Sequence, residues 1–250
     1  MTGLVDAARD ATARVLPCVC IMGVWAAPAQ GDGVPPTASA PVFHPGDCWV
    51  FDLVDPLDRS SSPRRRHEWV YRVPPQGGAE ITSGPHDELV RILLDPAGNY
   101  VQRYGIRWEP NEGYLRFPLA VGSTWHSSMV THSPRVTRAV HKESDFRVKS
   151  FGKVHVEAGD FEAFEVREIG TGQTEGSPFH FSIHGTFWYA PSIGRMVLVD
   201  SESHDLRDFR RFHQELVRYV PFEGSAGRTS EASAPSQPAS GGETSSLGHC

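Results

Sequence analysis

Twelve histidines in a chain of 250 residues invite a metal or acid-base reading, and their spacing decides how far it goes. His180, Ser182 and His184 alternate along His180-Phe181-Ser182-Ile183-His184, and Trp188 continues that face. On a strand the two imidazoles stand about 13 Å apart. Both cannot reach one zinc at roughly 2.1 Å without a bend. His126, Ser128 and His132 share a second face, and His155 lies with Glu157 on the polar side of a later hairpin. Convergence of His126, His155 or His184 with Glu157 at a sheet opening would make a hydrolase-type acid-base site. The plainer reading is a set of water-facing strand residues, since one face of an antiparallel sheet is commonly wet.

Other candidates carry less chemistry. Asp47 and Asp160 occupy turn positions, where Asp serves local hydrogen bonds. Ser60-Ser61-Ser62-Pro63-Arg64-Arg65-Arg66 reads as a basic loop able to touch an anionic headgroup or partner, but Asp55 and Asp58 weaken its field. No Gly-x-Ser-x-Gly elbow, phosphate-binding glycine loop, His-Glu-x-x-His helix or Cys-x-x-Cys pair occurs after residue 29. We therefore assign no catalytic residue, no metal ligand and no cofactor from sequence. The remaining site candidates are aromatic. Trp49, Trp69, Trp108, Trp125 and Trp188 all fall on strand-like runs, either filling a core or lining an apolar groove for a lipid, acyl chain or peptide.

The elements that would position these residues have a hydrophobic period near two. Trp49, Phe51 and Leu53 alternate with Val50, Asp52 and Val54; Trp69, Tyr71 and Val73 alternate with Val70 and Arg72. Tyr100, Tyr104, Ile106 and Trp108 are placed on one side of a strand, with Arg103 and Arg107 on the other. Leu206 to Val220 also fits a helical period, but Arg211 to Val220 is read as a final strand pairing with Met196 to Asp200. Turn signals at Pro74 to Gly78, Asp95 to Asn99, Pro110 to Gly113 and Ala158 to Asp160 separate the runs. Many short strands at this spacing predict an all-β fold, an antiparallel barrel or strongly curved half-barrel sheet, with disordered termini.

The ends of the chain read differently from its middle. Val15 to Ala27 is a short apolar run followed by Ala27-Pro28-Ala29, so residues 1–29 are read as an export signal. It is too short for the roughly 20 residues of a membrane-spanning helix. Residues 30–41 are read as a linker, 42–222 as the β domain, and 223–250 as a disordered Ser, Gly and Pro-rich tail. Cys18 and Cys20 fall inside the signal, leaving Cys48 and Cys250, which either pair or stay apart. A net charge of −6 argues against a nucleic-acid partner.

Four phrases carry a resemblance: Gly46-Asp47-Cys48-Trp49, Pro118 to Trp125, Val154 to Phe161, and Trp188-Tyr189-Ala190-Pro191-Ser192-Ile193-Gly194. In that order they resemble a group of uncharacterised bacterial exported proteins and lipoproteins built on a curved antiparallel sheet, distantly similar to lipoprotein-carrier half-barrels. Cys20 lacks a small residue before it, which departs from the lipoprotein pattern and weakens lipid anchoring. The resemblance implies a periplasmic or extracellular cell-envelope module, non-enzymatic, that binds or carries an apolar small molecule, lipid or lipoprotein segment. The alternatives are the His and carboxylate enzyme above or a structural envelope subunit held by a partner protein.

Overall fold

In a computed structural model, residues 36–54, 64–83, 90–134, 136–204 and 209–222 are described. Residues 1–29, read above as an export signal, Asp55, Asp58, the Ser60 to Pro63 part of the basic loop, and residues 223–250, read as a tail, lie outside them. The two-residue period produces strands throughout: β1 (Thr37–Ala38), β2 (Cys48–Val54), β3 (Arg64–Arg72), β4 (Ala79–Ser83), β5 (Val90–Leu94), β6 (Tyr100–Arg103), β7 (Ile106–Glu109), β8 (Leu119–Ala120), β9 (Thr124–Ser133), β10 (Val136–Val156), β11 (Gly159–Thr174), β12 (His180–Ala190), β13 (Arg195–His204) and β14 (Phe209–Val220). The last of these settles the helix-or-strand ambiguity in favour of a strand, and Leu198 of β13 pairs with Glu215 of β14.

Twelve strands close an antiparallel barrel in the order β10, β11, β12, β13, β14, β2, β3, β4, β5, β6, β7, β9, while β1 and β8 form a separate two-stranded ribbon. Closure leaves no free sheet edge. Thr37 pairs with Ala120 and Ala38 with Leu119, so ordered structure already begins within the stretch read as linker. Turn chemistry sets the corners. At Pro74 to Gly78 the Gly77 amide donates to the Pro74 carbonyl, and Gly78 has φ +80° with Leu94 O only 2.3 Å from where a Cβ would stand. Only glycine fits there.

Two apolar clusters fill the interior. Trp49, Phe51, Ile81, Ile92, Val197 and Leu216 belong to one; Leu119, Trp125, Phe146, Phe164, Phe187 and Tyr189 belong to the other. The outer wall is charged, with ion pairs Arg65 to Asp52, Arg91 to Glu80 and Arg167 to Glu165. That surface is unlike the apolar band of a membrane barrel. Among the described residues no helix is long and apolar enough to cross a membrane.

Two alternations run differently from the sequence expectation. On β3, Arg66, Glu68 and Val70 are buried while Trp69 is half-buried and Tyr71 is 70% exposed. The register explains it: Glu68 lies opposite Trp49 and Arg66 opposite Phe51, so the charged side of β3 shares the core face of β2. On β6, Leu94 pairs with Tyr100 but Leu93 with Gln102, a bulge that inserts one residue and swings Arg103 back to the side of Tyr100. Tyr104 and Gly105, both at positive φ, are the turn into β7 rather than strand positions.

Candidate functional site: a charged layer inside the barrel

Residues 110–118 form no strand and run from the end of β7 into the barrel. Their path is fixed by hydrogen bonds that a sheet would otherwise supply. The Glu112 amide donates to the Tyr100 carbonyl (2.9 Å), and the Tyr100 amide donates to Glu112 Oε1 (3.1 Å). Asn99 brackets Leu115, its Nδ2 donating to the Leu115 carbonyl (3.0 Å) and its Oδ1 accepting the Leu115 amide (2.7 Å). Trp125 Nε1 donates to the Gly113 carbonyl at 3.0 Å. Tyr114 then stacks on Phe187 at 4.6 Å and Phe117 meets Tyr189 at 5.4 Å. The segment is a plug, packed by its aromatic side chains and anchored by polar ones.

Against this plug lies a buried charged layer. Arg195 Nη2 donates to Glu68 Oε2 at 2.6 Å and to the Tyr100 hydroxyl at 2.7 Å. Its guanidinium also sits over Trp49, Phe51 and Tyr100 at 5.2, 5.7 and 5.3 Å, an aromatic enclosure suited to a cation. Arg66 donates to Gln214 Oε1 at 2.7 Å, and its Nε stands 2.9 Å from Glu68 Oε1 at an angle too poor for a hydrogen bond. Arg103, half-buried at the edge of this layer, sits over Tyr100 (4.8 Å), Tyr104 (5.4 Å) and Phe212 (5.9 Å). Among the described residues it has no hydrogen-bond acceptor and no ion-pair partner.

The electrostatics follow from burial and neighbours. Burial alone would raise the Glu68 carboxyl, but Arg66, Arg195 and Arg103 outweigh it and hold its pKa below the ordinary value. Glu112 is pushed up to about 8 by burial, which its Tyr100 hydrogen bond and the more distant Arg103, Arg195 and Lys142 only partly oppose. Burial also raises the Tyr100 and Tyr114 phenols. A second buried carboxylate, Glu168, accepts Ser144 Oγ at 2.7 Å and faces Lys142 Nζ at 3.7 Å. A cavity of about 50 Å³ opens where layer and plug meet, lined in part by Tyr100, Arg103, Glu112, Tyr114, Arg195 and Gln214.

The residues singled out from sequence are spread over the barrel. Trp49 and Trp125 are buried inside it, in different apolar clusters. Trp108 and Trp188 are half-buried, and Trp69 points outward opposite Cys48. His126, His155 and His184 do not converge with Glu157. His126 holds Asp145 at 2.9 Å and Glu143 at 2.6 Å on the open outer face, with Ser128 donating to Glu143 rather than to the imidazole. A serine that does not meet the imidazole is not an activated nucleophile. His155 pairs with Asp160 at 2.7 Å, while His180 and His184 are exposed on β12. Asp47 accepts the amides of His44 (2.8 Å) and Phe222 (3.0 Å), a structural role matching its turn position. Cys48 is disulfide-bonded, and the other three cysteines lie outside the described residues.

The sequence reading missed Arg66, Glu68, Tyr100, Arg103, Glu112, Arg195 and Gln214 as a group. Its one available signal was the placement of Arg66 and Glu68 on the parity of Val70 rather than of Trp69.

No protein family model matches this chain, and no curated protein does. Solved structures show a distant likeness. One is described as a "putative lipoprotein" from Parabacteroides distasonis ATCC 8503, 14% identical, covering 74% of this chain and 99% of its own with a TM-score of 0.42. The hypothetical lipoprotein YmcC from Escherichia coli K12 is 11% identical over 71% of this chain and 87% of its own, with a TM-score of 0.46. A "putative exported protein" with a YmcC-like fold from Bacteroides fragilis NCTC 9343 is 13% identical over 74% of this chain and all of its own (100%), with a TM-score of 0.38.

Proposed function

We propose that this protein is an exported, non-enzymatic binding or carrier module of the cell envelope, taking an apolar ligand or a lipoprotein segment into its barrel. One observation carries the reading. The barrel interior is completed by a plug outside the sheet, residues 110–118, whose Tyr114 and Phe117 rest on Phe187 and Tyr189. A plug held by one backbone and several side-chain hydrogen bonds can leave without breaking a strand pairing, and it would uncover an aromatic-lined space of the kind apolar ligands occupy. Export is supported by the signal-like residues 1–29, and the disulfide at Cys48 is of a kind that persists in oxidising compartments.

The test is to express the chain in an exporting host, determine its N-terminus, and compare native with denaturing mass spectra. The expected result is cleavage after Ala29 and a reproducible apolar adduct present only in the native spectrum. Tyr114→Ala, which enlarges the space beneath the plug, should raise its occupancy. A folded protein empty in both wild type and Tyr114→Ala would overturn the carrier reading.

A further inference from the structure

We infer that the cavity beside Arg103 is a carboxylate-binding site, so that the occupant is an amphiphile whose carboxylate head is fixed by Arg103 inside the barrel. The head-group site stands on its own geometry; only the apolar tail rests on the carrier reading above.

The charges in this layer do not balance. Arg66, Arg103 and Arg195 face Glu68 as the ionised carboxylate, because Glu112 is largely neutral at pH 7. Lys142 and Glu168, beyond Tyr114, answer one another at 3.7 Å and supply no spare anion. Glu68 is already committed to Arg195 and Arg66. Arg103 acts on Glu68 only through space and touches aromatic rings, which stabilise a guanidinium without satisfying its N–H donors. Half-buried, with donors that no acceptor among the described residues takes up, this guanidinium is placed to receive an anion entering the cavity.

Donor geometry and the lining favour a carboxylate. A cavity of about 50 Å³ holds roughly four water-sized groups at about 10–15 Å³ each. That accommodates a planar carboxylate and its adjoining methylene. A planar carboxylate also matches the guanidinium fork, which offers two parallel N–H donors. Glu112 also lines the cavity, and its raised pKa of about 8 limits its repulsion of a second carboxylate. Leu115, Val199 and Phe212 line the same cavity and give an attached apolar chain a dry path.

Calorimetric titration of the full chain with octanoate, octanol, octyl phosphate and acetate tests the assignment. Octanoate should bind at least about tenfold more tightly than octanol, the worth of one charge-assisted hydrogen bond or more. Arg103→Met should abolish that preference and Arg103→Lys should restore part of it, each variant being checked for an unchanged far-ultraviolet spectrum. Acetate binding without octanol binding would keep the head-group site while removing the apolar reading. Equal binding of octanoate and octanol would keep the apolar reading and overturn this one. Tighter binding of octyl phosphate, a preference that survives in Arg103→Met, or no binding by any of the four would overturn it as well.

Discussion

Glu68 on β3 and Arg195 on β13 meet at 2.6 Å across the barrel interior, 127 residues apart in sequence, and both are almost wholly withdrawn from water. Their pairing ties two walls that share no strand contact. Deleting one partner strands the other, so Glu68→Ala should cost about 3–5 kcal/mol in urea unfolding. The paired replacement Glu68→Met with Arg195→Met should cost clearly less than the two single changes added together. Additive losses would mean that the two side chains act independently.

Glu112 makes stability depend on pH in a direction opposite to that of most carboxylates. Its folded pKa of about 8 exceeds the ordinary 4.5, so between those values the folded state holds a proton that the unfolded state has lost. Stability therefore falls as pH rises through that window, by up to about 1.4 kcal/mol per pH unit from this group. Glu112→Gln keeps the shape and cannot ionise. Relative to wild type it should gain stability as pH climbs from 5 toward about 8. Parallel pH profiles for the two proteins would show that Glu112 titrates normally.

On the outer wall, the Asp145 and Glu143 carboxylates that hydrogen-bond His126 raise its pKa above 6.5. A raised histidine contributes stability below its unfolded pKa, and this is lost as pH rises through the folded value. The imidazole is exposed, so the readout is its own titration by NMR. A midpoint above 6.5 is expected, moving down in Asp145→Asn. A wild-type midpoint at or below 6.5 would show that the pairing does not persist in solution.

Two glycines separate backbone strain from crowding. Gly113 in the plug has φ +75°, and a Cβ there would lie 2.0 Å from Ser127 Oγ and 2.7 Å from its Cβ. Gly122, at φ +91°, has nothing within 4 Å. Gly122→Ala should therefore cost only the conformational penalty of about 1–2 kcal/mol. Gly113→Ala should add an overpacking cost of about 1–3 kcal/mol and increase protease or hydrogen-exchange access to 110–118. Equal effects would mean that the plug is not seated as described.

The barrel was legible in the sequence because alternation and turns are local signals. Arg211 to Val220 reads as a strand at period two, and Asp95 to Asn99 reads as a turn whose Asp95 side chain indeed accepts the Asn99 amide at 2.9 Å. The charged layer was not legible, since alternation identifies an apolar side and assumes that it faces inward. That assumption fails at β3, where Arg66 and Glu68 face inward because Arg195 and Gln214 arrive from β13 and β14 to satisfy them. It fails again at Arg103, because the bulge that re-aims it depends on pairing between β5 and β6. Glu112 reads as an ordinary polar turn residue until the Tyr100 backbone is seen beside it.

Strand order around the ring almost repeats strand order along the chain, with the return from β14 to β2 as the one long-range join. Most of the wall can thus assemble as successive hairpins, with residues 110–123, which include the plug, as the longer link between β7 and β9. The join between Cys48 and Val220 must wait until the last strand emerges. Before that moment the charged layer is also incomplete, because Arg195 and Gln214 come late. A chain truncated before Phe209 would leave the ring open and Arg66 without Gln214, so that closure and completion of the charged layer are one and the same last step.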